Sequence, residues 1–123
     1  HIADRVREML LHAKHRVYLE MEEAILEQFI SELEELCGNG IKVVILTDKR
    51  ETVSLQATFY ENAVKKDRIA VITYSTYVLT GEYGKKEDSS CLYTGQKNFV
   101  QLFKDSMKNE IKLIELTKGD KGH

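Results

Sequence analysis

The side chains with chemical reach in this sequence gather at the expected carboxyl ends of strands. They are Glu20 and Glu22, then Thr47, Asp48 and Lys49, then Tyr74 and Ser75, then Thr94, Gln96 and Asn98. In an open α/β sheet, ligands collect outside those ends. The set is rich in hydrogen-bonding groups and short of nucleophile–base pairs. It suits a neutral polyhydroxylated or amine-bearing small molecule better than a bond-breaking reaction. Glu20, Glu22, Thr47, Asp48, Lys49, Tyr74, Thr94 and Asn98 are therefore the candidate ligand-binding residues. Each also has an ordinary structural reading, with Asp48 and Asn98 as turn formers and Thr94 as a helix N-cap.

Other chemistries fit less well. The four histidines are His1, His12, His15 and His123, and no His-x-x-Glu-His or Cys/His cluster exists, so neither a metal nor a catalytic residue is expected. His12 and His15 read as a solvated helix end. After the first strand comes Glu20-Met21-Glu22-Glu23 rather than a Gly-rich loop. That acidic turn would repel a phosphate, which argues against a nucleotide cofactor. Cys37 and Cys91 lack metal or redox spacing and read as reduced thiols of a cytosolic protein, a mutual disulfide being the alternative. Beside Leu92, Cys91 is expected to be a small buried residue.

The bulk properties agree with one soluble domain. The chain has 123 residues, 42% hydrophobic and 31% charged, with a net charge of −2. No basic stripe marks a free-standing nucleic-acid binder, and no apolar run reaches membrane length.

The elements that must position the candidate residues are organised around Ala13–Asp48. Arg16–Glu20 alternates like a strand, with Val17 and Leu19 on one face. From Glu22 to Cys37 the period becomes helical: Ile25, Phe29, Leu33 and Leu36 form one row, with Glu23, Glu27, Glu32, Glu34 and Glu35 on or near the opposite face. Gly38-Asn39-Gly40 ends that helix, and Ile41–Leu46 is a β-branched strand. Two strands joined by such a helix are expected to be parallel neighbours with a right-handed crossover. A first helix over 2–13 either covers the sheet or continues an upstream helix into a dimer interface. Within 53–66 the reading is an extended Ala57–Glu61 followed by a loop, with a helical turn from Phe59 as the alternative. Arg68–Tyr74 and Tyr77–Gly81 form a hairpin, Gly84–Asp88 a loop and Ser90–Thr94 a short strand. After Gly95 comes an amphipathic helix with Phe99, Val100, Phe103 and Met107 on its inner face, and Ile111 continuing that face if the helix runs on. Residues 112–116 either extend it or add an edge strand, and 118–123 form a flexible tail. The result is an α/β domain over 1–117, a mixed sheet with helices on both faces. The chain opens at His1 inside a helix, so an upstream segment is expected.

The pattern AKHRVYLEM, helix, GNGIKVVILTD, then RIAVITYSTYVLTGE and CLYTGQKNFVQLFKDSMKNEI resembles the phospholipase D-like domain of TrmB-type (sugar-specific) transcriptional regulators. The resemblance covers nearly the whole chain. It implies an effector-sensing, homodimerising module whose partners are a sugar or other polar metabolite, and DNA only through an upstream winged helix-turn-helix. Catalytic members of the superfamily use a His, a Lys two positions on and an Asp five after that. Matching Gly81 to the family's hairpin glycine puts Asp67, Ile69 and Tyr74 at those positions, while the start His12-Ala-Lys14 would need Asp where Leu19 stands. Without imidazole or lysine there is no nucleophile and no charge clamp. A phospholipase D-type phosphodiesterase or nuclease, and a ligand-free structural domain, are the alternatives.

Overall fold

The computed structural model describes residues 2–73, 76–83 and 91–121, with side chains as far as 117. Among the described residues, six strands form one mixed sheet in the order β3-β2-β1-β4-β5-β6. Helix α1 (Ile2–Leu11) precedes β1 (Arg16–Glu20). Helices α2 (Glu23–Leu26) and α3 (Ile30–Gly38) lead into β2 (Lys42–Thr47), which pairs with β1 in parallel as expected. Strand β3 (Thr58–Glu61) lies parallel to β2 at the sheet's edge, in agreement with an extended Ala57–Glu61 followed by a loop rather than a helical turn from Phe59. Strands β4 (Arg68–Thr73), β5 (Tyr77–Glu82) and β6 (Cys91–Thr94) pair antiparallel, and β4 runs antiparallel to β1. Helix α4 (Lys97–Lys121) closes the chain.

Strand alternation sorts the core into two layers. Val17, Leu19, Val43, Ile45, Ile69, Val71 and Leu79 face Val6 and Leu10 of α1 and Leu26, Phe29 and Leu33 of the α2–α3 segment. The other faces of the same strands, through Tyr18, Val44, Ile72 and Val78, meet Val100 and Met107 of α4. Helices therefore cover both faces of the sheet, the α/β architecture expected from the sequence.

Five local expectations are corrected. Phe99, read on the inner face of the last helix, is 48% exposed in its first turn, while Val100 and Met107 face the sheet. The single helix from Glu22 to Cys37 is broken by a 3₁₀ turn at Glu27–Phe29. The tighter turn lets fully buried Phe29 reach the core, where its ring meets Tyr83 edge-on at 6.1 Å. Beyond it α3 ends where expected. Gly40 takes φ +80°, a region open to glycine, and the Ile41 N–H reaches back to the Leu36 carbonyl at 3.0 Å. Residues 112–121 stay helical, including the stretch to 121 read as a tail; Ile111 and Ile114 keep the inner-face spacing. Glu23 is buried rather than on the outer face. Cys91 is exposed rather than buried, since β6 is an edge strand. The loop read at Gly84–Asp88 lies outside the described residues.

Candidate functional site

The antiparallel β4 divides the predicted rim. Glu20 ends β1 beside Leu46 of β2, so Glu20, Glu22, Thr47, Asp48 and Lys49 share one edge of the sheet. Thr73 pairs with Val17 and Thr94 with Val78, which puts Thr94 and Asn98 at the opposite edge. Tyr74 and Ser75 lie outside the described residues. The eight candidates therefore do not converge on one pocket. The sequence offered no direct signal for the direction of β4, because strand polarity depends on pairing that alternation does not encode.

Most of the near-edge group serves the fold. The Asp48 carboxylate accepts from the N–H groups of Glu23 at 2.8 Å and Lys49 at 2.9 Å, and from the Thr47 hydroxyl at 3.3 Å. Partial burial raises its pKa, but those donors outweigh burial and hold it below the usual value. Thr47 is fully buried, and Lys49 pairs with Glu51 at 3.8 Å on the surface. Glu22 accepts from the Asp67 N–H at 3.5 Å. At the far edge the Thr94 hydroxyl accepts from the Gln96 N–H at 3.0 Å, while the Gln96 side chain accepts from the Phe99 N–H at 3.1 Å. The cap of α4 is thus Gln96 rather than Thr94. Asn98 is exposed in the first turn of α4.

Glu23, missed in the sequence, clamps a loop. One oxygen of its carboxylate accepts from the N–H groups of Glu51 (2.7 Å), Thr52 (2.8 Å) and Val53 (3.2 Å). The Thr52 N–H is the largest cause holding its pKa below the usual value, against the opposing effect of burial. Arg50 secures the same loop from its other side, stacked 3.9 Å over the Phe59 ring and donating to the Leu55 carbonyl at 3.2 Å.

Glu20 is the candidate that opens onto a cavity. On the α4 face of the sheet, a cleft of about 350 Å³ is lined by Glu20, Lys65, Arg68, Thr80, Ser106 and Glu110 among its polar groups, with Ile72, Phe103 and Met107 as its apolar wall. Burial, followed by the charge of Glu110 and a hydrogen bond between the two carboxyls, raises Glu20 to about 7; the Arg68 guanidinium opposes this. Near neutral pH Glu20 is therefore partly protonated, so its carboxyl can offer an O–H donor as well as an acceptor oxygen. The cleft can bind hydroxyls or an ammonium group while Lys65 and Arg68 supply donors beside it. Glu110 sits 90 residues from Glu20, on a helix face the sequence marks only as polar.

A second cleft of about 580 Å³ opens at the opposite edge, between His12, His15 and Lys14 on one side and Tyr77 and Tyr93 on the other. The two tyrosine rings stack at 5.2 Å, and Arg5 lies 4.4 Å over Tyr93. None of the eight predicted residues lines its described part.

Of the hairpin positions matched to the catalytic phospholipase D motif, Asp67 and Ile69 are described and Tyr74 lies outside the described residues. Ile69 is fully buried in the core opposite Gly81, and the Asp67 carbonyl accepts from the Tyr83 N–H at 2.6 Å. Among the described residues, no group of three or more His, Cys, Asp or Glu side chains could hold a metal ion. None of their helices is long and apolar enough to cross a membrane.

No protein-family model and no curated protein matches the sequence. Solved structures do match the fold. NucT from Helicobacter pylori is similar with a TM-score of 0.72 and 10% identity, over 89% of this chain and 87% of that one. The archaeal chromatin protein TrmBL2, whose structure shows a novel mode of DNA binding, is similar at 0.69 and 17% identity; the match takes 89% of this chain but 48% of TrmBL2. Nuc from Salmonella typhimurium, a phospholipase D family member, is similar at 0.57 and 13% identity, over 87% of this chain and 84% of that one. At these identities the likeness concerns the fold, and this chain has the mixed-sheet α/β fold of the phospholipase D family member Nuc.

Proposed function

We propose that this chain is the effector-sensing and dimerisation domain of a TrmB-like transcriptional regulator, and that it has no catalytic activity of its own. The carrying observation is the pairing of two facts about one fold. The motif positions hold Asp67 and a fully buried Ile69, while a cleft at the other face joins a half-buried carboxyl pair to cationic donors. The likeness to TrmBL2, which spans about half of that protein's length, supports a place within a longer DNA-binding protein. DNA contact then belongs to an upstream segment, and this domain supplies dimerisation and the response to a small polar effector, a sugar or another hydroxyl- or amine-bearing metabolite.

A thermal-shift screen of sugars, polyols, polyamines and nucleotides tests the sensing role. The expected result is stabilisation by a member of the hydroxyl or amine classes, reduced in Glu20→Gln. No shift with any compound supports a ligand-free structural domain instead. The likeness to NucT and Nuc favours a second reading, a phosphodiesterase or nuclease. Incubation with bis-p-nitrophenyl phosphate and with single-stranded DNA decides it: no turnover is expected, and turnover that co-purifies with the protein overturns the non-catalytic reading.

A further inference from the structure

Helix α4 has two apolar faces, and the sheet uses one. Val100, Phe103, Met107 and Ile111 pack inward. Phe99 (48% exposed), Leu102 (61%), Leu113 (64%) and Leu116 (60%) point elsewhere. With Ser106 and Asn109 they repeat at alternating intervals of three and four residues. That is the a/d spacing of a coiled-coil seam, apolar at both ends and polar at its centre. From Phe99 to Leu116 it runs roughly 26 Å at the α-helical rise.

We infer that this seam docks a second copy of the same chain, with the two α4 helices antiparallel across a two-fold axis near Met107–Lys108. The inference deepens the dimerisation part of the function proposed above and rests on it. An isologous contact requires a self-complementary surface, and this seam becomes one when reversed. Phe99 then meets the partner's Leu116, Leu102 meets the partner's Leu113, and Ser106 faces the partner's Asn109. Flanking charges choose the direction. Antiparallel pairing brings Asp105 beside the partner's Lys112 twice, once on each side of the axis. Parallel pairing sets Asp105 against the partner's Glu110, like against like. Within its own helix Asp105 already accepts from Gln101 at 2.8 Å, which holds its carboxylate on this flank. Ser106 and Glu110 also line the Glu20 cleft, so the partner helix would pass close to the effector site.

Analytical ultracentrifugation of the chain at one to one hundred micromolar tests the inference, with melting curves as the control for folding. The wild type is expected to dimerise. Leu102→Glu and Leu113→Glu are expected to raise the dimer Kd at least about tenfold while leaving melting of the monomer unchanged. Lys112→Glu is expected to weaken the dimer, and Asp105→Lys added to it to restore association. A dimer indifferent to Leu102→Glu and Leu113→Glu overturns the seam but leaves dimerisation standing on another surface. A wild-type monomer across the range overturns both. Failure of the double charge swap to restore what Lys112→Glu removes overturns the antiparallel arrangement.

Discussion

Glu20 and Glu23 belong to the same acidic turn, yet their environments push their protonation in opposite directions. Glu20 faces Glu110 and holds its proton up to about 7, against 4.5 for the free group. Its folded form binds more protons than the unfolded chain between those values, so stability should fall as pH rises from 4.5 through 7. After allowance for its partial exposure the effect is about 1 kcal/mol. Melting temperature against pH should show this slope in the wild type and lose it in Glu20→Gln; an unchanged slope contradicts the carboxyl pair. Glu23 behaves conversely. Its depressed pKa adds stability above 4.5 that is lost as pH falls through the folded value. Glu23→Gln should weaken the acceptor for three backbone N–H groups, lower the melting temperature by several degrees and speed amide exchange at residues 51–53. A sequence read for amphipathicity places both residues among solvated glutamates. Burial of Glu23 becomes apparent only when the 49–55 loop folds back over it, a contact 28 residues away for Glu51.

At the scale of elements, local pattern carries far and then stops. The Gly38-Asn39-Gly40 stop, the β-branched run at 41–46 and the returning strand of the hairpin at 77–81 all correspond to observed elements within a residue or so, since each is set by its own residues. The 3₁₀ turn at Glu27–Phe29 and the helical 112–121 segment required tertiary packing to decide. Direction was the costliest gap. With β4 antiparallel to β1, the rim inferred at one edge becomes two half-rims at opposite edges. One junction tests this account of the far edge. A Cβ at Gly95 would come within 2.7 Å of Tyr77 Cε1 and 3.1 Å of the Thr76 carbonyl oxygen. Gly95→Ala should therefore destabilise the domain by about 1–3 kcal/mol, as overpacking does, measured by urea denaturation. A neutral substitution would mean that the Tyr77–Tyr93 stack can move aside freely.

For the whole molecule, one sheet separates two kinds of surface. The α1–α3 face is built for packing, with Ile69 buried where the superfamily motif would place lysine. The α4 face carries the cleft, and the same helix turns a second apolar seam away from the sheet. Sensing and association would thus share α4, so an effector gripping Glu20 and Glu110 acts on the helix that meets the partner. Dimer affinity should then change with effector bound, and by linkage effector affinity should change by the same factor on dimerisation. The α/β class and the two-faced layering could be read from periodicity. The Glu20–Glu110 pair could not, because its partners lie at opposite ends of the chain and meet only through the fold.

The most direct test of the sensing claim is calorimetric titration of the best thermal-shift compound into wild type and into Glu20→Gln and Glu110→Gln at pH 7. The account predicts saturable one-site binding to the wild type, weakened at least about tenfold in each variant with folding intact. Equal affinity in all three proteins would contradict it and place the effector elsewhere on the domain.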